Sequence, residues 1–438
     1  MSSPSQIMSD NIRAARAEER PPHEWLAALQ DAALADFERL GFPTRKLENW
    51  KYTDVSKLAS AYPDWLWTSP SHARQPAVPE LGIAEADQLV FVDGVYEPAL
   101  SQVGELPDGV FVGSVAELAA ADPEALRRQM GRLAPSSESA FVALNAALAG
   151  NGAAVRVPAD ITLPRPVVVT YLSATDRSSA QPRLLVELEA GSAATVVEHF
   201  SSSTGVIVNA VAELCCEANS QLEYYKLQTE DLNTWHTAAQ YARVERDAVL
   251  QATHLDTGSN LARNELRVAL TGPGARAETK GLFMADQGRH VESRITVEHV
   301  APETTSRERY RGILGGTARG VFNGRIHVHA AAQKTSAELS NRNLLLNNGA
   351  EINTKPELEI YADDVKCAHG STTGQLDSTS LFYLLTRGVD RATARNMLIT
   401  AFAAELLTDI TIPAVAELAQ QSLAGLRDGT GSTGGDET

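Results

Sequence analysis

The chain has 438 residues, which suggests about three structural units and a sizeable buried core. It carries 38 Lys and Arg against 55 Asp and Glu residues, a net charge of -17 that argues against binding of nucleic acid or anionic lipid surfaces. The three cysteines include an adjacent pair and form no disulfide framework, which indicates a reducing compartment, so we expect a cytoplasmic protein. The N-terminus lacks an apolar signal-like core, and no aliphatic run is long enough for a membrane span; we therefore expect no membrane association.

Helical patterns dominate the first third of the chain. Apolar residues recur at helical spacing over Pro21–Leu40, and similar patterns span residues 115–130 and 139–148. The basic and aromatic segment 43–58 is interpreted as a solvated connector. We predict a mainly helical N-terminal domain over residues 1–150.

Residues 151–376 have a different character, with short alternating runs separated by turn residues. Turn-like pairs recur every 27 to 31 residues, and each is followed by alternating residues. These pairs start at Gly191, Asn219, Arg246, Pro273, Thr304, Lys334 and Asp364. One β unit per repeat is typical of a stacked solenoid and predicts a parallel β-helix core. An all-β sandwich is the alternative, although its turns should recur about every 8 to 12 residues.

Helical patterns return after residue 376. We predict a C-terminal helical domain over residues 377–427, followed by a disordered tail over 428–438 that has almost no apolar content. From Leu398 onwards the chain has six acidic residues and one arginine. Such acidic helices could dock on a basic partner surface, and an ordinary solvated helix face is the alternative.

The chain has no self-sufficient catalytic motif that we recognise. It contains no Gly-Lys dipeptide and hence no Walker A loop, no His-Glu-x-x-His zinc helix and no Gly-x-Ser-x-Gly nucleophile elbow. The glycine-rich run Gly312–Gly320 departs from the dinucleotide fingerprint, and within a β region glycine more often marks turns and bulges.

Cys367 and His369 form the main candidate site. They lie two residues apart, so a strand would project both to the same side, and a thiolate with an imidazole suits iron, zinc or an iron-sulfur unit. In the repeat register, however, Cys367 stacks on Ala337 and His369 on Leu339, so a buried cysteine and a core histidine are the simpler interpretation. Two ligands also fall short of a tetrahedral site, and any missing ligands must come from a partner chain.

Two further pairs have weaker claims as ligands. His327 and His329 share a strand face and could bind metal, but they are more simply explained as stacked residues of the solenoid. Adjacent Cys215 and Cys216 point to opposite faces of a strand, which favours core packing over ligation.

The segment Asn353–Gly370 and its continuation to Gly388 resemble the SufB/SufD family of iron-sulfur cluster assembly proteins. Trp50–Thr53 resembles the N-terminal signature of that family, and Ala401–Glu405 resembles its C-terminal helix. The Lys-Cys-Ala-His-Gly form at 366–370 is similar to the SufD members, because SufB members are expected to show a Glu-His-Glu type of sequence there.

This resemblance implies a mainly β protein, with a right-handed parallel β-helix core flanked by N-terminal and C-terminal helical domains. It also implies a non-catalytic scaffold subunit of the SUF complex, which pairs with a SufB-like paralogue and, through its C-terminal helices, with a SufC-like ABC-type ATPase. Such a complex builds nascent iron-sulfur clusters and delivers them to acceptor proteins. A homodimer is a further expectation for the isolated chain, because an open β-helix end exposes unpaired strand edges.

The resemblance also implies roles for the candidate residues. His369 would be a metal ligand or proton-transfer group at an interface shared with the SufB-like partner, and Cys367 a secondary thiolate candidate. A cluster would visit this interface transiently, and the chain alone would bind no cofactor. The complex of this family is also associated with a reduced flavin, for which we find no residue pattern in the chain.

A second class of function stays open on the sequence. Carbohydrate-active lyases and hydrolases often have a β-helix fold and act through carboxylate clusters. The absence of a signal-like segment and of an evident acidic cluster in one strand register argues against this alternative.

Overall fold

The computed structural model describes residues 3–18, 21, 23–65 and 77–426 of the chain. The predicted tail at 428–438 lies outside these residues. The described strands are β1 (Asp87–Val92), β2 (Val95–Tyr96), β3 (Phe111–Ser114), β4 (Ala153–Val157), β5 (Val167–Ser173), β6 (Ser179–Ala180), β7 (Arg183–Leu188), β8 (Ala193–Ser202), β9 (Ile207–Cys216), β10 (Gln221–Gln228), β11 (Trp235–Val244), β12 (Val249–Asp256), β13 (Leu261–Leu270), β14 (Arg276–Ala285), β15 (His290–His299), β16 (Thr305–Leu314), β17 (Arg319–Val328), β18 (Ser336–Leu345), β19 (Glu351–Ile360) and β20 (Lys366–Gln375). The described α-helices are α1 (Pro4–Glu18), α2 (Glu24–Leu40), α3 (Ser56–Ala61), α4 (Val115–Ala121), α5 (Pro123–Gln129), α6 (Ala140–Ala147), α7 (Ser378–Thr386), α8 (Arg391–Leu407) and α9 (Pro413–Ala424).

The strands from β4 to β20 wind into a parallel β-helix of about eight turns. From β7 onwards successive strands alternate between two sheets, so that β8 pairs with β10 and β9 with β11, each in parallel register. The predicted mainly β fold with helices at both ends is therefore confirmed. A sandwich is excluded because its sheets are antiparallel.

The predicted repeat coincides with stacked turns between the coils. Asn219, Asp247 and Lys334 have φ angles of 62°, 58° and 61°, the left-handed conformation that ends one strand and starts the next. The turns also bond to one another, as in the Asn219 amide, which donates to the carbonyl of Arg246 at 2.9 Å. Each coil is thus held to its neighbour at the corner as well as along the strands.

Apolar side chains from both sheets fill the inside of the β-helix. Aromatic rings stack from coil to coil near its N-terminal end, where Phe91, Tyr171 and Phe200 follow one another with centroids 5.2 and 5.1 Å apart. Such offset pairs add to the free energy gained from burying the rings. The interior is therefore a packed core and not a channel.

Strands also come from the region predicted to be mainly helical. β1 pairs in parallel with β5, while β2 and β3 add antiparallel pairs to β1 and β4. Residues 89–92 of β1 form one short apolar run that is fully buried, and periodicity alone does not distinguish such a run from a buried helix segment. These antiparallel pairs cover the N-terminal end of the β-helix.

The segment 43–58 is anchored to the β-helix, and its interpretation as a solvated connector is wrong for its central residues. Trp50 is buried, with the Arg263 guanidinium 3.8 Å from its ring centroid. The Thr53 hydroxyl lies 2.7 Å from the His290 ring nitrogen and also donates to Glu292. Side chains from strands distant in sequence provide these partners, so local composition does not reveal them.

The C-terminal helices α8 and α9 pack on the outer face of one sheet. Ile399 and Leu406 of α8 and Val415 of α9 lie in one apolar cluster with Leu282 and Ile313. Among the described residues, no helix is long and apolar enough to cross a membrane.

Two acidic residues of this region pair with cations of the β-helix. Glu405 accepts from Arg311 at 2.5 Å, and Asp409 accepts from Arg309 at 2.5 Å. Their charge is thus largely neutralised within the chain and fastens α8 to the sheet.

Candidate functional site

The last two strands of the β-helix form its open C-terminal end. β20 pairs with β18, β19 pairs with β17, and each stands at the end of its sheet. In the described part of the chain no strand pairs with their outer edges. This end therefore differs from the N-terminal end, where antiparallel strands close the sheets.

Cys367 and His369 lie on β20 in the predicted register. Cys367 is paired with Ala337 and His369 with Leu339, as the repeat alignment indicated. The interpretation of His369 as a buried core histidine is wrong, because His369 is exposed. Cys367 is half-buried. In earlier coils, the coil that follows covers each inward side chain. No further coil follows β20 among the described residues.

The backbone of both terminal strands presents hydrogen-bonding groups at the open edge. The amide of Lys366 donates to Thr335 on the β18 side at 2.8 Å. Amides alternate in direction along a strand, so those of Cys367 and His369 point to the open edge. On β19, Pro356 occupies a position whose backbone nitrogen faces the open edge. Because proline has no amide proton to donate, it is tolerated there without loss of a hydrogen bond to β17.

The thiol of Cys367 is held in its protonated form at neutral pH. Burial raises its pKa, a hydrogen bond from the Ala337 backbone lowers it, and the Glu308 carboxyl raises it further. A protonated thiol is a poor metal ligand. It becomes a good one when a nearby cation lowers its pKa or a base accepts its proton.

Glu308 is a neighbour of this site that our sequence analysis did not identify. It pairs in register with Leu339, which in turn pairs with His369, so the three residues form one inward column. Its side chain is buried, both of its oxygens lack a hydrogen-bond partner, and burial raises its pKa to about 8. The signal in the sequence was an acidic residue at an inward position of the repeat, in the same column as His369.

The structure does not bring the other cysteines to this end. Cys215 and Cys216 lie on β9, with Cys216 buried in the core and Cys215 accepting a 3.0 Å hydrogen bond from Arg243. Among the described residues, Cys367 and His369 belong to no group of three or more metal-ligating side chains. Two side chains from this chain can therefore only begin a tetrahedral site.

Exposed apolar residues surround the open end. Ile360 at the end of β19 is 40% exposed, and Tyr361 directly after the strand is 64% exposed. Phe382 and Tyr383 on α7 are 67% and 55% exposed. Exposed apolar side chains grouped in this way are typical of interaction surfaces.

Two surface clefts of the described chain do not fit a flavin nucleotide. One of about 370 Å³, between Val78 and Gln88, is lined by no aromatic ring and no cation that could hold the ring system or the phosphate. Another of about 240 Å³ contains Tyr241, but Arg267 covers this ring and is itself paired with Glu265. We derive no step through a flavin.

Comparison with known proteins identifies relatives along nearly the whole chain. Residues 171–402 match the family model described as "SUF system FeS cluster assembly, SufBD core domain", and residues 13–169 match the SufBD protein N-terminal region. An iron-sulfur cluster assembly SufBD family protein of Synechocystis sp. is 32% identical over 85% of each chain. The iron-sulfur cluster assembly protein SufD of Escherichia coli is 32% identical over 85% of this chain and 86% of its own. The chloroplastic protein ABCI7 of Arabidopsis thaliana is 27% identical over 96% of this chain and 90% of its own.

Proposed function

Because the chain belongs to the SufBD family of iron-sulfur cluster assembly proteins, we propose that it is the SufD-like scaffold subunit of a cytoplasmic SUF complex. Its role is to pair with a SufB-like paralogue, so that the two chains together build a nascent cluster for delivery to acceptor proteins. The observation that carries this proposal is the open end of the β-helix, where Cys367 and His369 lie on an unpaired edge strand.

The unpaired edges of β19 and β20 are suited to a partner of the same fold. A second β-helix that ends in two strands could continue both sheets, with backbone hydrogen bonds across the interface and apolar side chains filling the last coil. Ile352 and Leu358 on β19 are half-buried inward residues available for such packing. A second copy of this chain could use the same edges when the paralogue is absent.

Cluster assembly at this interface needs ligands from both chains. His369 is exposed at the end of the inward column and provides an imidazole to an incoming iron or cluster, which is the cargo of the complex. Cys367 is the secondary ligand, because its thiol must first lose a proton. The partner supplies the remaining ligands.

ATP hydrolysis belongs to a third subunit in this proposal, because the chain has no phosphate-binding loop of the Walker type. The docking surface for a SufC-like ATPase is the exposed face of the C-terminal helices, where Phe382 and Tyr383 of α7 and Met397 of α8 are open to solvent. Glu405 and Asp409 contribute less than their charge suggests, since they pair with cations of the β-helix. The chain itself is then non-catalytic.

The His369→Ala variant tests the role assigned to the site. The purified complex is reconstituted with iron, a sulfide source and a reductant, and the cluster is measured by absorbance and by bound iron. We expect normal complex formation with a cluster yield at least about threefold lower, because an exposed side chain contributes little to folding. Thr373→Ala, on the same strand and also exposed, is the matched control.

A full cluster yield from His369→Ala would contradict this role. Loss of the complex itself in that variant, with Thr373→Ala intact, would reassign His369 to subunit pairing. The carbohydrate-enzyme alternative receives no support from the relatives of the chain, and turnover of a glycan by the isolated protein would be needed to revive it.

A further inference from the structure

A second group of ligating side chains lies on the outer face of the β-helix, away from the inward column of His369. Glu298 on β15 and His327 on β17 are direct register partners. Their neighbours Val297 and Val328 are buried, so Glu298 and His327 point outward. His329 follows directly after β17, and its amide donates to the His299 carbonyl at 3.0 Å, which fixes the backbone there.

The ligand atoms of these three side chains already lie close together. One atom each of Glu298, His327 and His329 lies within 4.8 Å of the others, and this is the one such group among residues 3–18, 21, 23–65 and 77–426. The two imidazole rings are stacked with centroids 4.3 Å apart and an interplanar angle of 16°. All three residues are half-buried, which limits their rotamers while leaving room for an ion and water.

The separation of His329 and Glu298 fits a metal between them better than a hydrogen bond. The His329 Nε2 atom is 3.6 Å from a carboxylate oxygen of Glu298, and this buried nitrogen has no hydrogen-bond partner. Two ligands of a tetrahedral ion lie about 3.4 Å apart when each is about 2.1 Å from it. An ion at this position would satisfy a nitrogen that is otherwise buried without a partner, which is costly.

The surrounding charges permit a cation. Arg325 lies on the same strand face, but Glu359 accepts from it at 2.6 Å and neutralises it. Glu359 is also the register partner of His327 on β19, so the Arg325–Glu359 pair stands beside the site without adding net charge. Tyr361 packs edge-on against the His327 ring with centroids 5.5 Å apart and restricts its orientation.

We propose that Glu298, His327 and His329 form a binding site for one borderline divalent transition-metal ion of the Zn²⁺ or Fe²⁺ type. Two imidazoles and one carboxylate suit these ions, whereas Mg²⁺ and Ca²⁺ prefer oxygen ligands. Three protein ligands leave at least one position for water or another ligand. This proposal does not depend on the proposed function, because it uses neither Cys367 nor His369.

Calorimetric titration tests the site. The full-length protein is first treated with a chelator and then titrated with Zn²⁺ or, under anaerobic conditions, with Fe²⁺. We expect one equivalent to bind at these residues and Mg²⁺ not to compete. Glu298→Gln, His327→Gln and His329→Gln should each weaken binding at least tenfold. The exposed Glu338→Gln on β18 is the matched control and should bind as the original protein does.

A double variant, Cys367→Ser with His369→Gln, separates this site from the open end. The proposal requires that this double variant still bind the one equivalent of metal ion whose binding is weakened in the three single Gln variants. Binding abolished by the double variant but unaffected by His327→Gln would overturn the proposal.

A spectroscopic titration of the unaltered protein gives an independent test that requires no variant to fold. Co²⁺ in a site with few ligands and low symmetry gives strong visible absorption, whereas the hydrated ion gives weak absorption. We expect the strong bands to saturate at one equivalent and to disappear when Zn²⁺ is added. A spectrum that stays that of the hydrated ion throughout would overturn the proposal.

Discussion

At the scale of single residues, Glu308 is the most unusual group in the β-helix. It is a buried carboxyl without a hydrogen-bond partner, two coils further inside than the column position of His369. Burial of an ionised carboxylate is costly, so the group keeps its proton and its pKa rises from 4.5 to about 8.

The Glu308→Gln variant should therefore change how stability depends on pH. The folded chain binds this proton more tightly than the unfolded chain, so the contribution is complete below about pH 4.5 and is lost as the pH rises towards about 8. Denaturant unfolding should show the original protein losing about 3–4 kcal/mol relative to the variant between pH 5 and 8. The exposed Glu303→Gln serves as the control, and parallel pH curves for Glu308→Gln and the original protein would contradict the prediction.

Cys367 should react slowly with alkylating agents. Its raised pKa keeps the thiol protonated, so iodoacetamide labelling followed by mass spectrometry should accelerate with pH to above about 9 without an earlier plateau. Glu308→Gln should increase the rate at pH 8, because the carboxyl no longer opposes the thiolate. Buried Cys216 is the internal control and should stay unlabelled. A plateau below pH 8 would show a thiolate that the structure does not account for.

At the scale of elements, one buried ion pair holds the N-terminal helical region on the β-helix. Glu213 of β9 accepts from Arg183 of β7 at 2.6 Å and from the amides of Gly131 and Leu133 at 2.7 Å each. Asn145 of α6 accepts from the same arginine at 2.9 Å. A loop, a helix and two strands therefore share one network.

Removing the charge of Glu213 should destabilise the whole chain. Glu213→Gln leaves the Arg183 charge buried without its partner, and we expect the free energy of unfolding to fall by about 3–5 kcal/mol in urea titrations. Glu245→Gln removes a partly exposed partner of Arg243 and should lower the free energy of unfolding by less than about 1 kcal/mol. Equal effects of the two substitutions would refute the role of the network.

The repeat pattern predicted the β-helix because stacked coils impose a period on the sequence. It also placed Cys367 on Ala337 and His369 on Leu339, since parallel strands in register preserve that period. It did not predict the exposure of His369, because burial of an inward residue depends on a coil that follows. Nor did it reveal the burial of Trp50, whose partner Arg263 is distant in sequence.

At the scale of the whole molecule, the two ends of the β-helix differ. β2 and β3 close the N-terminal end with antiparallel pairs, whereas β19 and β20 leave parallel edges unpaired in the described residues. Exposed parallel edges with apolar residues beside them are surfaces that proteins cover. The candidate ligands, the unpaired amides and the exposed side chains of Ile360 and Tyr361 all lie at this one end.

Co-purification from the native cell tests most directly whether this end binds a SufB-like paralogue. The tagged original chain should bring down a SufB-like chain together with an ABC-type ATPase. Ile360→Lys, at the open end, should reduce the yield of the SufB-like chain at least tenfold, because it places a charge in the apolar interface. Leu232→Lys alters a similarly exposed residue between β10 and β11 and should leave the yield unchanged. A SufB-like chain recovered in full with Ile360→Lys, or not recovered with the original chain, would contradict the account.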